Sequence, residues 1–198
     1  MQRNRTKEMT ILAMFMALQV ILIVLNEILA SVWPFPIQPT ILMVPVIVLS
    51  IVLGPKMGGF LGLWWGILSV IVATVTPGPV NFIFTPFVPV LGTNHGDWRA
   101  LLVSIVPRII VGIAPYFIYQ LFGRKKISKL GLVVTGVAGS VINTIFVLSA
   151  IYLFFAAELH WTLATLLASI VATNSILEAV LSGFLVGAIT PALFKLRK

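Results

Sequence analysis

Of 198 residues, 60% are hydrophobic and 9% are charged, with a net charge of +8 and a mean hydropathy of +1.13. Soluble domains carry about 25% charged residues, so this composition excludes an ordinary cytosolic enzyme, a disordered tail and a nucleic-acid-binding module. The chain reads as an integral membrane protein in one domain, residues 1–198, and at about 20 residues per crossing it has room for roughly five to seven helices. It contains no cysteine, which removes disulfides, thiolate metal sites and cysteine nucleophiles.

Arg3, Arg5 and Lys7 precede an apolar run from Met9 to Leu29. That run is too long for a signal-peptide core and no small-residue cleavage site follows it, so a retained helix is expected. Trp33-Pro34-Phe35-Pro36 to Pro39 breaks the chain before a second run, Thr40 to Leu53, which Gly54-Pro55-Lys56 turns back. A third run, Met57 to Val75, ends at Thr76-Pro77-Gly78-Pro79. From there to Asp97, proline, asparagine, threonine and aromatic residues predict a long ordered loop or partly re-entrant segment. A fourth helix is expected from Trp98 to Phe122, stopping at Gly123-Arg124-Lys125-Lys126. A fifth follows from Lys129 to Ala156 and a sixth from Trp161 to Leu193.

The expected fold is thus all-α, a polytopic membrane protein with six transmembrane helices and both termini on one side. Basic residues sort by side. Arg3, Arg5, Lys7, Lys56, Arg124, Lys125, Lys126, Lys129, Lys195, Arg197 and Lys198 lie on the terminus side, whereas Arg99 lies on the other. The positive-inside rule makes both termini cytoplasmic in a multi-pass protein of the bacterial cell membrane. No internal repeat is present, so an inverted-repeat transporter architecture has no support.

The remaining basic residue, Arg108, falls inside the fourth run, about 15 Å from the outer end at 1.5 Å per residue. A charge within hydrocarbon costs at least about 2.5–3.5 kcal/mol, so it needs a partner or a role. Asn143 on the fifth helix and Asn174 on the sixth reach a similar central level. Glu178 follows Asn174 by four residues on the same face, near Ser175 and Ser182. Gln19 and Asn81 are candidates to complete this polar ring. Two readings stand: a buried cavity in which the Arg108 guanidinium grips a carboxylate bidentately, or an internal Arg108–Glu178 ion pair with the asparagines bridging helices.

Aromatic residues crowd the outer half. Trp98 and Trp161 suit an interfacial belt, and Trp33, Phe35, Phe82, Phe84 and Phe87 suit a stiff lid. Trp64 and Trp65 on the third helix, and Tyr116 and Tyr119 on the fourth, are candidates for the cavity wall; Trp64 and Tyr116 are assigned to it. Small residues four apart, Gly58, Gly62 and Gly66 on the third helix and Gly183 and Gly187 on the sixth, predict close helix packing. Ala13 and Ala17, in the cytoplasmic half of the first helix, are singled out as a small-residue pair open to a partner, which their spacing alone does not show. Phosphate-loop, HExxH and GxSxG motifs are absent, and the two histidines, His95 and His160, fall in separate outward loops, so no catalytic residue, metal site or cofactor is expected.

Ala13-Met14-Phe15-Met16-Ala17, Val106-Pro107-Arg108-Ile109-Ile110-Val111-Gly112 and Asn174-Ser175-Ile176-Leu177-Glu178-Ala179 occur in that order among six crossings with basic cytoplasmic ends. In this the whole chain resembles the substrate-binding S components of energy-coupling factor (ECF) vitamin transporters, most of all the pantothenate-specific members. The resemblance implies a vitamin pocket beneath the loops after the first and third helices. It also implies partners, a transmembrane coupling subunit and two cytoplasmic ATPases, with Ala13 and Ala17 at the coupling-subunit contact. Pantothenate offers a carboxylate for Arg108 and an amide and hydroxyls for Asn143 and Asn174, with Glu178 orienting Arg108. An S component for folate or pyridoxine, and a free-standing facilitator, are the alternatives.

Overall fold

A computed structural model describes residues 2–32, 41–76, 78, 80–122, 128–160, 162, 164, 165, 168 and 175–197. Among these the chain is helical without strands: α1 (Gln2–Val32), α2 (Met43–Leu53), α3 (Pro55–Val75), α4 (Arg99–Gln120), α5 (Lys129–Phe155) and α6 (Ser175–Arg197), with a 3-10 turn at Asn81–Ile83. The first Pro-rich loop, the Arg124–Lys126 tract, Trp161 and Asn174 lie outside the described residues.

Five helices, all but α2, are long and apolar enough to cross a membrane. The expected second crossing, Thr40 to Leu53, contains a helix of only 11 residues. At 1.5 Å per residue that is about 16 Å, roughly half the hydrocarbon thickness. Its residues Met43 to Val52 are all buried. A helix apolar on every side fits the centre of a bundle as well as it fits lipid, and here it is wrapped by protein. Gly54 follows with φ 99°, a conformation that favours glycine, and Pro55 opens α3, where its missing N–H costs nothing.

The closest helix pair is α3 with α4. A methyl group on Gly58 would strike the carbonyl oxygen of Gly112, and one on Gly62 would strike that of Arg108; at Gly66 the nearest atoms, on Ser104 and Ile105, are 3.0 Å away. Between α5 and α6, Gly136 faces Ser182 and Gly183, and the Ser182 hydroxyl donates to the Gly136 carbonyl at 3.0 Å. Within lipid such contacts hold helices by dispersion and hydrogen bonding, because burial against a neighbour removes no surface from water.

Helix α1 is the most peripheral. It packs on α2 and α3, while Met14, Ile21, Val24 and Ile28 stay exposed, as do Ala13 and Ala17. The α3–α4 connection is folded down onto the bundle. Its Phe82, Ile83 and Val90 pack with Ala100 and Val103 of α4 and with Leu148, Ile151 and Phe155 of α5. Arg99 ties this end together, 2.5 Å from Asp97 and 3.3 Å from Glu158 and above the Phe155 ring. Its hydrogen bond to Asp97 holds that carboxyl below the ordinary carboxylate value.

Candidate functional site

Two helix stripes, the α3–α4 connection, Leu42 and Arg108 converge on a cavity of about 320 Å³. From α1 come Ile23, Asn26 and Glu27, and from α3 come Trp65, Ser69, Val72, Ala73 and Thr76. Both sets follow helical i, i+3, i+4 spacing, so each occupies one face. Leu42 precedes α2, Asn81 and Phe84 belong to the α3–α4 connection, and Arg108 comes from α4.

Arg108 is buried, and its guanidinium carbon lies 5.3 Å from the ring centre of Trp65 and 5.7 Å from that of Phe84. Ring faces attract a desolvated cation and hold the plane of the fork. Its position is set by α4 itself. Pro107 has no N–H, so the Val103 carbonyl four residues earlier loses its helical donor, and Nη1 of Arg108 donates to that oxygen at 2.8 Å. Nε has no partner. Ser104, one turn before Arg108, donates to the Phe84 carbonyl at 2.6 Å and so fixes the loop aromatic on the same face. No ion pair joins Arg108 to Glu178; among the described residues the ion pairs are those of Arg99. The arrangement is a cation held by aromatic faces, with donor capacity unspent, at the edge of a chamber sized for a small molecule.

A family model described as "ECF transporter, substrate-specific component" matches residues 7–190. The chain belongs to this family. It is 44% identical over 197 residues to the "Pantothenic acid transporter PanT" of Lactococcus lactis subsp. cremoris, covering 100% of this chain and 98% of that protein. It is also 31% identical over 204 residues to the "Pantothenate transporter PanT" of Leuconostoc mesenteroides subsp. mesenteroides, covering 96% and 93%. Family and relatives are transporters, not enzymes, and this substrate-specific component is a multi-pass protein of the bacterial cell membrane.

Within this substrate-specific component, Arg108 and Asn81 share the cavity. Asn81 spends its side-chain amide on the carbonyls of Ala73 and Thr76, capping the end of α3, so its remaining capacity is the oxygen. Trp64 lies off the cavity wall and donates to the Met16 carbonyl of α1 at 3.3 Å; its neighbour Trp65 takes the wall position. Tyr116 packs edge-on against Phe117, also off the wall. Asn143 is buried with its Oδ1 unpartnered, one turn beyond Gly139 on the α5 face that meets Ile47 and Pro115. Glu178 is buried on α6, outside the cavity lining. Gln19 is fully buried and donates to the Leu42 carbonyl at 3.4 Å, joining α1 to the start of α2.

Sequence reasoning missed Asn26, Glu27, Ser69 and Thr76 as wall residues. Glu27 carried a usable signal, because an acid within an apolar run is costly wherever the run is embedded.

Proposed function

We propose that this substrate-specific component captures pantothenate and delivers it to an ATP-driven ECF importer. The observation that carries the reading is the unpaired Arg108 guanidinium, clamped between Trp65 and Phe84 at the cavity. A carboxylate there would receive charge-assisted hydrogen bonds in a water-poor site, where such bonds are strongest. Both relatives are pantothenate transporters, which supports the choice of ligand. Asn143, whose buried oxygen is open but which lies outside the cavity lining, and Asn174 are assigned to the ligand's amide, and Glu178 to the polar surroundings.

The transmembrane coupling subunit docks on the exposed Ala13 and Ala17, with two ATPases below it. Residues 1–198 form one membrane domain, in which α2 belongs to the second of six crossings. The distribution of basic residues supports cytoplasmic termini. The purified chain in lipid nanodiscs is expected to bind labelled pantothenate at equilibrium. In liposomes containing this chain alone it is expected to give essentially no flux, whereas flux without an ATPase module would establish a free-standing facilitator.

Pro107 is expected to act through Arg108. Pro107→Ala supplies an N–H that competes for the Val103 carbonyl, loosening the guanidinium. An interior proline costs a helix about 3 kcal/mol, so thermal stability should hold or rise while pantothenate affinity falls several-fold. Titration calorimetry beside a melting curve separates the two effects.

A further inference from the structure

Among the described residues Glu27 is the one carboxylate on the cavity wall, and it enters from α1, whereas Arg108 enters from α4. These helices are not packed closely on each other: α1 lies on α2 and α3, and α4 lies chiefly on α3 and α5. Acid and base therefore reach the chamber from separate walls without pairing. Glu27 is half-buried near the end of the apolar span Thr6–Ile28, and among the described residues it makes no hydrogen bond or ion pair. Its neighbour Asn26 lines the same cavity. An ionised carboxylate only accepts hydrogen bonds. It repels a second anion and suits a group rich in hydroxyl or amide N–H donors.

We infer that Glu27 is a specificity-determining residue, accepting hydrogen bonds from the donor-bearing end of a ligand whose carboxylate is held by Arg108. This rests on the pantothenate reading above and adds an orientation to it. The acid–base pair polarises the chamber, so an anionic ligand enters with its carboxylate toward α4 and its hydroxyls toward α1. A ligand with a carboxylate at each end meets repulsion at Glu27, and one lacking hydroxyls leaves Glu27 unserved.

The test is calorimetric binding to the full chain in nanodiscs, using wild type, Glu27→Gln and Glu27→Ala. The probes are pantothenate and its analogue with both hydroxyls replaced by hydrogen. Loss of a hydrogen bond to a charged group predicts about tenfold weaker pantothenate binding for Glu27→Gln and a larger loss for Glu27→Ala. The analogue, which keeps only the amide N–H as a donor, binds wild type weakly and is expected to lose less affinity than pantothenate on either substitution. Equal weakening of both probes would assign Glu27 a merely structural role and overturn the inference. So would unchanged pantothenate binding in both variants. Failure of folded wild type to bind pantothenate would instead overturn the ligand assignment, a result read before any variant is compared.

Discussion

Arg108→Ala is expected to lower pantothenate affinity more than any other single substitution in the cavity. Removing one partner of a desolvated, hydrogen-bonded charge pair costs about 2–5 kcal/mol, which is roughly 30- to 5,000-fold in Kd. The protein should remain folded. Among the described residues Arg108 makes a single hydrogen bond, to Val103, and the stabilisation of its aromatic contacts is offset by the cost of burying its charge. Arg108→Lys should retain part of the affinity: an ammonium keeps the charge and loses the planar fork that meets a carboxylate bidentately and stacks between rings. Calorimetry on the three proteins gives the order arginine, lysine, alanine. Equal binding by wild type and Arg108→Ala would remove this residue from the site.

Gly62→Ala is expected to produce a large loss of stability. Its methyl group would be driven into the backbone carbonyl of Arg108, and a backbone atom cannot turn aside as a side chain can. Overpacking typically costs about 1–3 kcal/mol, and the upper part of that range or beyond applies where both surfaces are main chain. Gly58→Ala meets the Gly112 carbonyl and should behave alike, whereas Gly66→Ala, with its nearest atoms 3.0 Å away, should be milder. Thermal unfolding in nanodiscs reads this series directly. Melting temperatures equal to wild type for all three variants would mean that α3 and α4 separate freely. Because the obstructed carbonyl belongs to Arg108, Gly62→Ala should also weaken ligand binding more than its loss of stability alone requires.

The all-helical fold and the long spans were legible because long apolar runs ended by proline, glycine or basic residues leave few other structures in lipid. Boundaries agree closely, as in α4, expected over Trp98 to Phe122 and found over Arg99–Gln120. The half-length of α2 was not legible, since a residue facing protein on every side and a residue facing lipid have the same apolar composition. Arg108 stood out as a charge in a greasy run, and the structure brings it to the cavity edge. Which tryptophan lines the wall depended on the rotation of α3. At 100° per residue, Trp64 lies about 200° from Gly62 and Trp65 about 60°, so the glycine stripe facing α4 already indicated Trp65. Glu27 lies near the end of a span, where acids are also ordinary at the membrane surface, and the fold shows it turned to the chamber.

Three wall residues of that chamber ride on α1, a helix backed by protein on one flank and carrying exposed apolar residues, Met14, Ile21, Val24 and Ile28, that suit lipid on the other. The bilayer is therefore building material for the compartment. Lateral pressure from the lipids presses this wall inward, and its tightness is a joint property of the polypeptide and the fatty acids around it.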